Sequence, residues 1–234
     1  MPDLFTRGNL EMSATPVPHE AEALMWGDCL VNRIAVLVVM ALFIVELAEL
    51  FRLFPPLLRC LSRWKGNLDL EHSVSMARTR NNVALVTALV MCIIADRWVL
   101  TDSSVKASLP AEWRLAFTAA LIGGYVVLRQ LLYLISRFRS RTNEYALCLR
   151  HSMYNYQIML STLMLLSVIP LLAFRAPDEI VRIVLLVETA AFTLLYLLRS
   201  FQILASRCSN YATILYLCAL EILPLGILAF VCTL

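Results

Sequence analysis

Histidine, glycine and charge are all scarce in this chain, and each scarcity closes off a class of function. The three histidines, His19, His72 and His151, lie outside the long apolar runs. No HExxH occurs, and a Ser–His hydrolase working inside a membrane would find no base there. Six glycines (Gly8, Gly27, Gly66, Gly123, Gly124, Gly226) are spaced so that neither a Walker-type loop nor a GxGxxG turn can be assembled, so no glycine loop cradles a phosphate. Seven cysteines are scattered at 29, 60, 92, 148, 208, 218 and 232 without a CxxC. Odd in number and unpatterned, they read as free thiols rather than a disulfide framework or zinc site. No catalytic residues, metal or cofactor are expected, and a net charge of +3 is too small to suggest nucleic acid.

Charged residues make up 16% of the 234, against about a quarter in ordinary globular proteins. Hydrophobic residues reach 60% and the mean hydropathy is +0.75. No soluble surface absorbs that much apolar side chain; the chain reads as an all-α integral membrane bundle. A spanning helix needs about 20 mostly apolar residues. Six such spans are predicted, at 31–51, 82–100, 115–136, 158–174, 180–200 and 211–232, within a transmembrane domain 29–234 that follows a polar tail 1–28. The tail contains Pro16 and Pro18 and lacks the basic and apolar regions of a cleavable signal.

Lys and Arg in the connections set orientation. The links at 52–81, 137–157 and 199–210 together carry twelve, against seven on the opposite side, where the acids gather. This predicts both termini outside the cytoplasm. Pro55-Pro56 is expected to end the first span. Beyond it Leu57, Leu58, Leu61 and Trp64 alternate with Arg59, Arg63 and Lys65, the pattern either of a short helix lying in the headgroup layer or of an ordinary basic juxtamembrane cluster.

An internal repeat underlies the apolar pattern. The third span ends LLYLISRF (Leu131 to Phe138) and the fifth LLYLLRSF (Leu194 to Phe201). Each precedes a basic turn, an Asn-Tyr pair (Asn155-Tyr156, Asn210-Tyr211), a proline (Pro170, Pro224) and a Leu-Ala-Phe ending. Both asparagines are expected to serve as helix N-caps. Duplicated helical hairpins and chance similarity between leucine-rich spans both account for the pattern.

The candidate polar site lies within the spans. Glu221 falls about 15 Å into the sixth, Glu188 about 12 Å from the outer end of the fifth, and Arg129 about 10 Å from the inner end of the third. Each costs roughly 2.5–3.5 kcal/mol to insert at a helix centre, so they should turn inward and pair. Arg129 is expected to meet Glu221, with Glu188 as a second partner. Pro224 and Pro170 each remove a backbone donor beside this region. A buried ion pair with two kinks explains the set; a proton or ion site of a small secondary transporter using Glu221, Glu188 and Arg129 is the alternative. Glu46, Glu49 and Arg52 read as interfacial salt bridging, and Asp96-Arg97-Trp98 as the outer border of the second span. Ala119, Ala120, Gly123 and Gly124 form a close-packing face, expected inside the bundle, with self-association through Gly123 and Gly124 as its other use.

The run Tyr216-Leu217-Cys218-Ala219-Leu220-Glu221-Ile222-Leu223-Pro224 resembles the carboxyl-terminal signature of a domain-of-unknown-function family of bacterial integral membrane proteins. The Tyr154–Pro170 stretch and the Asn-rich start of the second span are also similar to that family's pattern. The resemblance implies several transmembrane helices in a bacterial inner membrane, with no established activity and no catalytic residues to carry over. The expected partners are the lipid bilayer and a membrane protein, or a second copy of the chain through Gly123 and Gly124. Together these features predict a non-enzymatic accessory or scaffold subunit.

Overall fold

A computed structural model of the chain describes residues 26–63, 66, 67, 70, 73–98, 100, 105, 106, 109–135, 143–206 and 209–233. The helices are α1 (Leu30–Ser62), α2 (Val74–Arg97), α3 (Ala111–Ile135), α4 (Asn143–Ala173), α5 (Asp178–Ala205), α6 (Asn210–Leu217) and α7 (Leu223–Thr233). A π-helical turn, Cys218–Ile222, joins α6 to α7 into one rod. Six rods are therefore long and apolar enough to cross a membrane. Among the described residues there is no strand. Of the polar tail, residues 1–25 lie outside the described set. Trp26–Asp28 fold back onto α1, where Asn32 Nδ2 donates to the Trp26 carbonyl (3.0 Å) and Arg33 Nε to that of Gly27 (2.6 Å).

Several boundaries differ from expectation. Pro55-Pro56 does not end α1, which runs on unbroken to Ser62. The two prolines forfeit only two adjacent backbone bonds, while Leu53, Leu57 and Cys60 around them are almost wholly buried. Leu50, Leu53 and Leu57 pack against Val83 and Ala84 of α2 and Ile158 and Met159 of α4. Leu57 is thus a core residue, which rules out the separate headgroup-layer helix; Trp64 and Lys65 lie outside the described residues. The fourth rod begins at Asn143, so Asn155 is no N-cap but sits mid-helix, donating to Asn67 Oδ1 at 2.8 Å. Asn210 does open α6, although Ser209 holds the cap position and makes no side-chain cap bond.

At the centre, α4 packs against α1, α2 and α5, and α2 against α1, α3 and α4. One apolar cluster joins α1, α2, α4 and α5 through Val39, Val90, Ile94, Leu160, Met164, Val181 and Leu185. The last rod changes neighbours along its length: α6 lies on α5, whereas α7 lies on α3. Its π turn is the crossover. Large apolar side chains cover the outside, including Leu37, Val45, Leu134 and Phe174 at 70% exposure or more. That outer coat is what a lipid surround requires.

The small-residue face is not internal. Gly123, Gly124 and Ala120 are exposed, and a Cβ placed on either glycine would meet nothing within 4 Å. On α3 the inward stripe is set by Thr118 and Arg129, three turns apart and both fully buried. The glycines fall on the opposite side of the cylinder. Gly66 is the glycine with a packing reason: a Cβ there would stand 2.9 Å from the Arg59 carbonyl group, where the link folds back on α1.

Candidate functional site

Four rods converge on one ion pair. Arg129 of α3 meets Glu221 in the π turn along one edge of its guanidinium: Nε donates to Oε2 at 3.0 Å and Nη2 to Oε1 at 2.9 Å. Nη1 donates to the Arg150 carbonyl (2.9 Å), and Nη2 also to the Leu149 carbonyl (3.2 Å) and the Tyr196 hydroxyl (2.6 Å). Tyr133, one turn beyond Arg129, donates its hydroxyl to Glu221 Oε1. The guanidinium carbon lies 4.8 Å from the Tyr133 ring centre and 5.8 Å from that of Tyr196, within cation–π range. Both charged side chains have 0% exposure.

The chemistry of the residues explains their choice. Arginine carries five donors in a planar fork that matches a carboxylate edge to edge. Here two bonds fix Glu221, and the rest serve carbonyls and a hydroxyl that would otherwise compete for water. Removing two ions from solvent costs several kcal/mol each unless the geometry and the remaining hydrogen bonds are good. Some buried polar side-chain atoms in the described residues have no partner, among them Ser161 Oγ, Ser200 Oγ and Thr213 Oγ1, but none belongs to this pair.

The expected Arg129–Glu221 pair is therefore present. Pro224, buried three residues beyond Glu221, explains the wide turn: it has no N–H to give and its ring crowds the preceding turn. The Leu223 N–H bonds the carbonyl of Cys218, five residues back, and both Leu220 and Glu221 face inward. Glu188 is not brought into this cluster. It is half-buried against α4 and accepts one bond from Ser167 Oγ at 3.2 Å. Pro170 is exposed within an unbroken α4 and takes no part either.

Asp96 is the centre of a second buried cluster. Rather than marking an interface, it is 3% exposed and carries three donors. Lys106 Nζ lies 2.7 Å from Oδ1, Thr118 Oγ1 donates to Oδ1 at 2.8 Å, and Trp26 Nε1 donates to Oδ2 at 2.7 Å. Arg97 stacks over Trp26 and Trp98 at 5.6 and 5.9 Å. This second cluster ties together the end of α2, the 98–110 link, α3 and the chain entering α1. The available signal was that Asp96 is the one acid in the second span.

The expected salt bridge of Arg52 with Glu49 forms at 3.1 Å on the surface of α1. The repeat gains chemical content, because its two equivalent tyrosines, Tyr133 and Tyr196, are the two that flank the ion pair. The copies diverge afterwards: Tyr156 is buried and donates to the Cys60 carbonyl at 3.2 Å, whereas Tyr211 is 90% exposed. Among the described residues no three of His, Cys, Asp and Glu gather to hold a metal ion. Comparison with protein-family models, with curated proteins and with solved structures gives no match.

Proposed function

We propose that this chain is a non-enzymatic scaffold or accessory subunit of a bacterial inner membrane, both termini outside the cytoplasm, with its basic links meeting lipid or a partner membrane protein. The closed state of the Arg129–Glu221 pair carries this reading. A carrier's coupling group has to gain and lose a proton or solute within its cycle. Glu221 is held bidentately by Arg129, bonded by Tyr133 and sealed from solvent. Any release would take four rods apart, as expected of a clamp. The YLCxLEILP-type ending supports placing the chain in a bacterial membrane family of unknown function. That ending also contains the clamp's acid and its π turn, so its signature residues have a structural reason to be there.

The test is native mass spectrometry of the chain extracted mildly from its own membranes, wild type beside an Arg129→Leu/Glu221→Leu double variant. A scaffold keeps a stoichiometric partner in both, since an apolar pair of suitable size replaces a buried ion pair at little cost. A chain that extracts alone, and supports solute-driven proton movement in proteoliposomes, would overturn the reading. One observation favours a proton-linked carrier as second reading: Glu188 is a half-buried carboxylate inside a span whose one bond is to a serine. Its test is Glu188→Gln at normal expression, where unchanged growth and transport remove the carrier reading.

A further inference from the structure

α1 is 33 residues long, about 50 Å, against a hydrocarbon core of roughly 30 Å. Its end beyond Pro55-Pro56 therefore stands at the level of the lipid headgroups while remaining part of the bundle. Helix ends of this kind leave carbonyls unpaired and favour nearby cations. Here that need is met from another rod. Arg199 of α5 donates through Nη2 to the carbonyls of Leu61 (2.8 Å) and Ser62 (3.0 Å), and through Nη1 to Gln202 (2.7 Å). Arg59 and Arg63, one turn apart on the same helix end, are released from that task. Both are exposed, and neither pairs with an acid among the described residues. Arg52, two turns earlier on the same face, is already neutralised by Glu49.

Two like charges one turn apart repel, an arrangement that an anion between them would relieve. Exposed Val45 (75%) and Val38 (52%), at seven-residue spacing from Arg52 and Arg59, run down the same side of α1 toward the membrane interior. An occupant must then carry a negative group at headgroup level and an apolar chain below it. We propose that the last turn of α1 is a site for an anionic phospholipid, its phosphate held between Arg59 and Arg63 and an acyl chain lying along Val45 and Val38. This is a discrete site on the bundle wall, distinct from the Arg129–Glu221 clamp, and it does not depend on the scaffold reading.

Native mass spectrometry of the full chain in a neutral detergent, titrated with phosphatidylglycerol or phosphatidylcholine, tests it. Wild type should hold phosphatidylglycerol more tightly than phosphatidylcholine. Arg59→Gln or Arg63→Gln should each weaken phosphatidylglycerol roughly 5-fold and the double variant roughly 25-fold, each arginine near an anionic surface contributing on that order. Arg59→Lys/Arg63→Lys should keep most of the affinity. Arg78→Gln, an exposed arginine at the start of α2, should change it less than twofold. Equal retention of the two lipids, or wild-type retention by the double glutamine variant, overturns the site. So does a loss in Arg78→Gln matching that in Arg59→Gln, which would mean diffuse charge alone. Should the double variant not fold, the single variants decide by the same numbers.

Discussion

The Arg129–Glu221 and Asp96–Lys106 pairs are both withdrawn from solvent, yet they are built for different depths. At mid-span the cation is arginine, and every bond to the pair comes from within the four converging rods. At the end of α2 the cation is lysine, a point charge from a link residue, aided by a threonine and an indole. Side-chain exposures of 0% and 0% in the first pair, and 7% and 1% in the second, mark the difference. Deep in the bilayer no water can complete an imperfect pair, so the fork of a guanidinium is needed to bond several acceptors at once. Near the surface a flexible lysine can reach either its partner or water.

Breaking the deep pair should have the largest effect. Glu221→Leu alone leaves Arg129 buried and unpaired, and should lower unfolding free energy in mixed-micelle denaturation by about 3–5 kcal/mol. Adding Arg129→Leu should recover at least half of that loss. If the double variant is no better than the single, Arg129 is not the partner that matters. Tyr133→Phe comes next, at about 1.5–3 kcal/mol, since it removes a bond to an ionised acceptor. Asp96→Asn should cost less, about 1–2 kcal/mol, because Lys106 can turn to the surface. A loss equal to that of Glu221→Leu would erase the distinction by depth. Trp26→Phe should cost about 1 kcal/mol, lowering the thermal transition by a few degrees. The smallest change, within about 0.5 kcal/mol, is expected for Gly123→Ala, whose added methyl meets nothing inside the molecule. A larger effect on oligomer size than on stability would show that this face packs against another copy.

Some of this was legible without coordinates. The six spans, the all-helical class and the Arg129–Glu221 partnership follow from runs of apolar residues and from the cost of a lone charge in lipid. Such a cost leaves few possible partners, and the depths of these two matched. Glu188 was misassigned because depth alone cannot say which way round its cylinder a side chain points. Ser167, not Arg129, shares that face. Asp96 was undervalued for a related reason. Its partners are Trp26 and Thr118, 70 and 22 residues away, and Lys106 in a link, and nothing local announces their meeting.

The prolines show the same division. Reading Pro55-Pro56 as a helix end is sound local chemistry, but Leu53 and Leu57 are pinned by α2 and α4, and that packing carries the helix through. Pro224 was expected to disturb its own turn, and the π turn is that disturbance, although its use as the crossing point between α5 and α3 was not foreseeable.

Composition and hydrophobic run length by themselves determined that six helices cross a bilayer, because lipid forces every backbone group into an internal bond and allows few charges. Which faces of those helices turn toward one another was decided by the tertiary structure alone. Inside a membrane, apolar residues line both the protein contacts and the lipid contacts, so hydrophobicity cannot distinguish the two; shape, polar pairing and the path of the last rod do.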